Sequence, residues 1–232
     1  MNTYHQLACH YDGLTGDVPY AAFADFYEKI FRLYDRQVKT VIDLACGTGS
    51  MTEELARRGY DLIAVDQSPD MLSAAMEKLS TLDPMPLMVC QSLEELDLYG
   101  TSDAAVCTLD GMNYLCPEGL CRALHRIRYF LEPGGLLIFD VNTPEKLQSL
   151  DGQIFLDEND DCFCVWRAVW DEEENACIYG IDLFEKSGRH WDRSCEEHIE
   201  YAHSAAFLRR ALEEAGYTDI KVFGELKTET PA

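Results

Sequence analysis

Between residues 40 and 140 short, almost wholly apolar runs alternate with helix-length amphipathic stretches, and no other feature constrains the fold as strongly. The runs occupy 40–45, 61–65, 87–91, 103–108 and 136–140. Each is too short for a stable helix, and a strand without polar alternation is buried on both of its faces. Helical patterns fill 50–58, 68–82 and 117–130 between them. Gly59 suits the end of the first, Ser68 and Pro69 open the second, and Pro133-Gly-Gly135 stops the third. Strands joined by covering helices predict an α/β fold, a doubly wound, Rossmann-like parallel sheet.

Outside this core the periodicity changes. A helix is predicted over 19–34, with Phe23, Phe26, Tyr27, Ile30, Phe31 and Tyr34 on its apolar face. From about 153 to 201 there are alternating aromatic-rich segments (163–170, 177–185, 190–201) and no helix, which predicts an antiparallel β insertion over the ligand edge of the sheet. A helix at 204–215 and a strand at 219–224 then return to the core. The expected organisation is one domain, 1–152 with 202–232, whose first 36 residues or so form a helical lid, interrupted by the insertion 153–201.

Composition narrows the function classes. With 19 basic and 42 acidic residues the formal charge is −23, which repels polyphosphate and argues against a broad nucleic-acid surface. Arg122, Arg126 and Arg128 fit a solvated helix face better than a basic patch. No apolar run approaches the roughly 18–20 residues that span a bilayer, and the first ten residues lack the pattern of a signal peptide. Cytoplasmic residence is the expectation, without membrane contact. The ten cysteines are scattered with no Cys-x-x-Cys pair, so no metal site is expected. Asp157-x-Asn159-x-Asp161 begins like a calcium loop but has Cys162 and Ala168 where glycine and glutamate are required.

The first apolar run ends in a glycine turn, Asp43-Leu-Ala-Cys-Gly47-Thr-Gly49, followed by a helix. Such a turn lets a ligand approach backbone N–H groups at a helix N-terminus. A dinucleotide fingerprint needs a further glycine at 52, where Thr52 stands, and a Walker-type Gly-Lys-Ser/Thr is absent. Asp66 ends the next strand, where an acid can accept hydrogen bonds from both ribose hydroxyls.

On these residues the chain resembles class I S-adenosylmethionine-dependent methyltransferases. Residues 41–49 are similar to their first motif, Asp66 to their ribose-binding acid, and 131–139 (Leu-Glu-Pro-Gly-Gly-Leu-Leu-Ile-Phe) to their strand after the fourth helix. Tyr11-Asp12, Asp17-Val-Pro-Tyr20, 109–115 (Leu-Asp-Gly-Met-Asn-Tyr-Leu), Asp140-Val-Asn-Thr143 and Glu196-Glu-His198 resemble the small bacterial YqeM-like group. The resemblance implies S-adenosylmethionine as cofactor and S-adenosylhomocysteine as product. Asp43 with Ala45, Cys46, Gly47, Thr48 and Gly49 would hold the methionine moiety, and Asp66 the ribose. Gln67 and Met71 would flank the adenine, with Gln91, Ser92 and Leu93 where the group usually places an acid for adenine N6. Leu109 and Asp110 would border the methionine end, and Tyr11 and Tyr20 are lid candidates. Class I sheets usually close with an antiparallel strand after the segment 219–224; the sequence stops at 227–232, so either it is cut short there or, as expected, that strand is absent.

A sulfonium methyl is already activated, so the protein must mainly hold a nucleophile about 3–3.5 Å away, in line and dry. A base is needed only where the nucleophile carries a proton to lose. His198 is the candidate, since on a strand it shares a face with Glu196 and Glu200; the competing reading is an exposed charged strand face. Asn113 and Tyr114, beyond the fourth strand, are candidate acceptor contacts, against a turn asparagine and a packed ring. Asp110-Gly-Met-Asn-Tyr114 lacks the prolines of nucleic-acid amino-methyltransferases, and Cys116-Pro117 reverses the order expected of cytosine-C5 enzymes. The expected function is methyl transfer to a small-molecule acceptor. The alternative is a non-catalytic cofactor-binding or protein-interaction module that keeps the fold. No motif in the chain addresses its oligomeric state.

Overall fold

The structure, a computed structural model, describes residues 7–159, 161–224 and 226–229. The expected lid begins at residue 1, so its first six residues lie outside the described ones, as do 230–232 at the other end. A 3-10 turn, Leu7–Cys9, leads into α1 (Tyr11–Leu14) and α2 (Tyr20–Leu33). The core then alternates β1 (Thr40–Leu44), α3 (Ser50–Arg57), β2 (Asp61–Asp66), α4 (Pro69–Leu79), β3 (Leu87–Cys90), β4 (Ser102–Cys107), α5 (Pro117–Tyr129) and β5 (Leu131–Phe139). Short 3-10 turns at Leu93–Glu95 and Gly111–Tyr114 flank β4. These five strands are all parallel, in the order β3-β2-β1-β4-β5.

Burial explains the unbroken apolar runs. Ile42, Ala105 and Cys107 face a cluster completed by Leu120, Leu124 and Ile127 of α5. Their neighbours Val41, Ala104 and Val106 face the opposite cluster, with Phe23, Tyr27, Ile30 and Phe31 of α2 and Met51 and Leu55 of α3. Successive strand side chains point to opposite faces, so helices on both faces demand apolar residues throughout.

After β5 come α6 (Pro144–Ser149), capped by the Thr143 hydroxyl on the Lys146 N–H, and then a second sheet. It is an antiparallel meander of β6 (Ile154–Glu158), β7 (Cys162–Asp171), β8 (Ala176–Ser187) and β9 (His190–Tyr201). Helix α6 and strand β6 were not legible as such in the sequence. Helix α7 (Ala205–Glu214) follows and packs on α5 as part of the first cluster.

The strand expected at 219–224 does not form. Asp219 turns the backbone left-handed (φ +53°) at its first residue, and the residues that follow are anchored by side chains instead. Ile220 packs on the α5–α7 cluster, whereas Phe223 packs on the α2 side, its ring edge-on to Phe26 at 6.0 Å. The segment thus contributes to the clusters on both faces without joining the sheet. Among the described residues the parallel sheet has no strand beyond β5. No helix among them is long and apolar enough to cross a membrane.

Candidate functional site

Strand order reverses between β1 and β4, and in open α/β sheets a crevice lies at that point, outside the carboxyl ends of the strands. A cleft of about 930 Å³, its open mouth included, occupies this place. Of the residues read as cofactor-binding, Tyr11, Tyr20, Asp43, Ala45, Cys46, Gly47, Thr48, Asp66, Gln67, Met71, Gln91, Leu93 and Leu109 line it; Tyr114 lines its far side.

The turn after β1 shows why its residue types are needed. Ala45, Gly47 and Gly49 all have positive φ (52°, 54° and 79°), so the chain reverses within a few residues. A Cβ on Gly47 would meet no atom within 4 Å, so its hydrogen faces open cleft, where a ligand can reach the backbone. Gly49 plays a different part. A Cβ there would press on the Ala75 and Leu79 side chains of α4 at 3.1 Å, so Gly49 lets the two helices meet and does not line the cleft.

Asp66 sits at the carboxyl end of β2 with Oδ2 accepting the Gly47 N–H (2.9 Å) and Oδ1 the Ser68 N–H (2.8 Å). A carboxylate has about four acceptor positions, so these contacts leave capacity for a ligand hydroxyl. Burial raises its pKa, and the backbone N–H groups of Ser68, Gly47 and Gln67 oppose that rise. Asp43 is almost wholly buried, and burial pushes its carboxyl up to about 7 while the Thr52 hydroxyl, 2.5 Å from Oδ2, favours the ion. The residue that excludes a dinucleotide fingerprint is therefore the hydrogen-bond partner of Asp43.

A testable pH dependence follows. Folding raises the Asp43 pKa from about 3.9 in an unfolded chain, so between about 4 and 7 the folded protein binds the proton more tightly. The stability this contributes is complete below the unfolded value and is lost as pH rises through about 7. Subtracting the unfolding profile of Asp43→Asn from that of the ligand-free wild type should leave a decline of roughly 4 kcal/mol across this window. Parallel profiles would mean that Asp43 ionises as an ordinary carboxylate.

Five residues given no site role from the sequence also line the cleft: Ser50, Met51, Thr108, and Gly111 and Leu115 of the 109–115 motif. Ser50 and Met51 open α3 directly after the glycine turn, which was a usable signal. Thr108 follows β4 and is held by the buried Tyr27 phenol at 2.8 Å, a contact across 81 residues that no local pattern encodes. A Cβ on Gly111 would come within 2.7 Å of Cys107 Sγ and 2.9 Å of Ala45 Cβ, so only glycine lets this turn approach β1.

The remaining sequence candidates stand behind the wall. Ser92 caps the following 3-10 turn by accepting the Glu94 N–H. Asp110, in a left-handed conformation beside a left-handed Leu109, is half-buried. The Asp140 carboxylate accepts both of their N–H groups (2.9 and 3.0 Å) and so holds this strained pair. Asn142 Nδ2 donates to Asp110 Oδ2 (2.5 Å) and Glu200 Oε2 (2.7 Å), while Lys146 Nζ donates to Asn142 Oδ1. Burial beside Glu200 and Asp140 pushes the Asp110 carboxyl well above the usual range; burial also raises Glu200. Asn113 is fully buried and ties the Asn142 N–H and C=O to the Tyr201 C=O. These residues join the carboxyl ends of β4 and β5 to β9. His198 lies in this layer with no solvent exposure, so the exposed charged face does not exist at its position. Its Nε2 is 3.1 Å from Glu196 Oε2, and its ring meets Tyr114 edge-on at 6.1 Å.

Known proteins share this architecture. Residues 41–135 match a methyltransferase domain family. A Geobacillus protein (strain WCH70) classed as a methyltransferase is 28% identical over 235 residues, covering 99% of this chain and 95% of its own. YqeM of Bacillus subtilis (strain 168), classed likewise, is 27% identical over 232 residues, covering 99% and 92%. The crystal structure of an S-adenosylmethionine-dependent methyltransferase from Clostridium acetobutylicum superposes with a TM-score of 0.86 at 28% identity, over 100% of this chain and 94% of that one. With an open Gly47 and an Asp66 that keeps acceptor positions, the cleft suits the cofactor these relatives imply. The chain carries a methyltransferase-domain match over residues 41–135, has the fold of class I S-adenosylmethionine-dependent methyltransferases, and is similar over its whole length to the YqeM-like proteins.

Proposed function

We propose that the chain transfers a methyl group to a small-molecule acceptor held between the cleft and the antiparallel sheet. One observation carries this: a single cleft runs from Gly47 and Asp66, on the cofactor side, to Thr108, Gly111, Tyr114 and Leu115 beneath β9. Bound S-adenosylmethionine supplies a methyl on a positively charged sulfur, an electrophile already activated for in-line displacement. The chain's own residues then bind, orient and exclude water. Asp43 and the 45–48 backbone take the methionine moiety, Asp66 takes the ribose hydroxyls, and Gln67, Met71, Gln91 and Leu93 border the adenine. Tyr11 and Tyr20 close the mouth. Residues 153–201, the insertion, cover the acceptor.

Tyr114 is the acceptor contact in this reading, and the buried His198, paired with Glu196, sets its ring from behind. His198 reaches the acceptor through Tyr114 and acts as a positioning residue. Its replacement, His198→Ala, should lower turnover by about tenfold or more while S-adenosylmethionine affinity stays nearly unchanged; unchanged turnover removes His198 from the mechanism. The overall reading is tested by incubating the protein with S-adenosylmethionine and size-separated cell extract, and measuring S-adenosylhomocysteine. Release should follow the small-molecule fraction. Release only with macromolecules overturns the proposed acceptor class, and none with any fraction favours the non-catalytic module.

A further inference from the structure

Helix α1 and the turn that precedes it are held on two sides by contacts of different kinds. Towards the antiparallel sheet, Leu7 is buried in a cluster with Leu147, Cys164 and Leu183. The Leu7 N–H donates to Glu196 Oε1 (3.3 Å), and His10 Nε2 lies 2.8 Å from Glu185 Oε1. Towards the parallel sheet, the attachment is polar. The Asp12 carboxylate accepts the Thr48 hydroxyl (2.6 Å) and lies 2.7 Å from Lys78 Nζ of α4. That ammonium also donates to Ser50 Oγ (2.7 Å) and Thr48 Oγ1 (3.3 Å). Lys78 thus joins α1, the glycine turn and the first residue of α3 at one point.

Tyr11, the residue before Asp12, packs on the antiparallel-sheet cluster and also lines the cleft. Lys78 does not line the cleft, while Thr48 and Ser50, which it holds, do. Any ligand that enters beneath Tyr11 passes a helix fastened apolar-side to the insertion and charge-side to the cofactor turn. The ion pair is the weaker fastening, because its Asp12 side chain is half exposed and its charges are screened by water and salt. The Leu7 contact is therefore the firmer of the two, and the Asp12 contact the one easier to break.

We propose that Asp12 and Lys78 are positioning residues for the cofactor, a clasp that holds Tyr11 across the cleft and slows release of the bound nucleoside. The proposal rests on the reading that this cleft takes S-adenosylmethionine. Dissociation of S-adenosylhomocysteine, followed by stopped-flow displacement, tests it without an acceptor. Lys78→Met should release the product about three- to fivefold faster than wild type, the range that losing a partly exposed ion pair allows. Asp12→Asn should do the same from the other partner, and Lys78→Arg should restore the slow rate. Raising salt towards about 1 M, where screening acts within about 3 Å, should speed release from wild type and leave Lys78→Met nearly unaffected. A contact that merely stabilises the fold would shift the unfolding midpoint and leave these rates alone. Equal release rates in wild type and both variants overturn the clasp while leaving the cleft assignment intact. A wild-type chain that binds no S-adenosylhomocysteine overturns both.

Discussion

Asp66→Asn should weaken S-adenosylmethionine binding about a hundredfold while leaving the chain folded. The carboxylate already accepts one backbone N–H on each oxygen, from Gly47 and from Ser68. An asparagine has one acceptor oxygen, so its NH₂ group must face one of those two donors or turn towards the ligand. In either case a hydroxyl–carboxylate hydrogen bond is lost, worth about 1.5–3 kcal/mol where the acceptor is charged. The turn that presents the Gly47 backbone is loosened as well. Each 1.4 kcal/mol is tenfold in affinity, so about a hundredfold is the expected loss. Folding is little affected, because burial already disfavours the charge that asparagine removes. Titration calorimetry with S-adenosylmethionine measures this directly. An affinity within threefold of wild type would falsify the ribose assignment.

The other large effect is on stability. Asn113→Ala should destabilise the fold by about 3 kcal/mol and lower the unfolding midpoint by roughly 6–12 °C, given a few degrees per kcal/mol for a chain of this size. The side chain makes three hydrogen bonds in a fully buried setting: to the Asn142 C=O at 3.1 Å, the Tyr201 C=O at 2.9 Å, and from the Asn142 N–H at 2.9 Å. Alanine leaves all three backbone groups dry and unpaired, at about 1 kcal/mol or more each. The loss also releases β9 from the carboxyl ends of β4 and β5, so thermal unfolding and protease sensitivity near 201 should change together. A variant of wild-type stability with lost turnover would return Asn113 to the acceptor side, as the sequence alone suggested.

These two residues mark the boundary of what the sequence discloses. Asp66 was legible because its role follows from local order: a buried strand ends, an acid follows, and the parallel neighbour ends in a glycine turn. Asn113 was not, because its partners are 29 and 88 residues away and meet it only when the second sheet folds down. Asp110 and His198 fall in the same class. On paper His198 shared an exposed face with two glutamates, whereas packing against Tyr114 and Trp166 removes it from solvent. Gly49 illustrates a subtler case. Glycine is needed there, as expected, but for the approach of α4 as well as for its positive φ, and not as part of the cleft wall.

Misjudged elements have equally local causes. Strand β6 is exposed along its whole length, so its residues carry no burial alternation to read. The 219–224 segment has strand-like composition, yet its hydrophobic residues are divided between the clusters on the two faces. Side-chain anchoring then replaces ladder hydrogen bonds, and Asp219 begins it with a left-handed turn.

By itself the sequence determined the parallel order of helices and strands, the glycine turn, and the acids at the ends of β1 and β2, since these depend on hydrophobic periodicity and backbone sterics within a few residues. Tertiary structure alone decided which polar residues face the cleft and which hold the two sheets together. An asparagine or histidine has the same local signature in either place, and only the partners brought in from distant segments separate a ligand contact from a buried hydrogen-bonded joint.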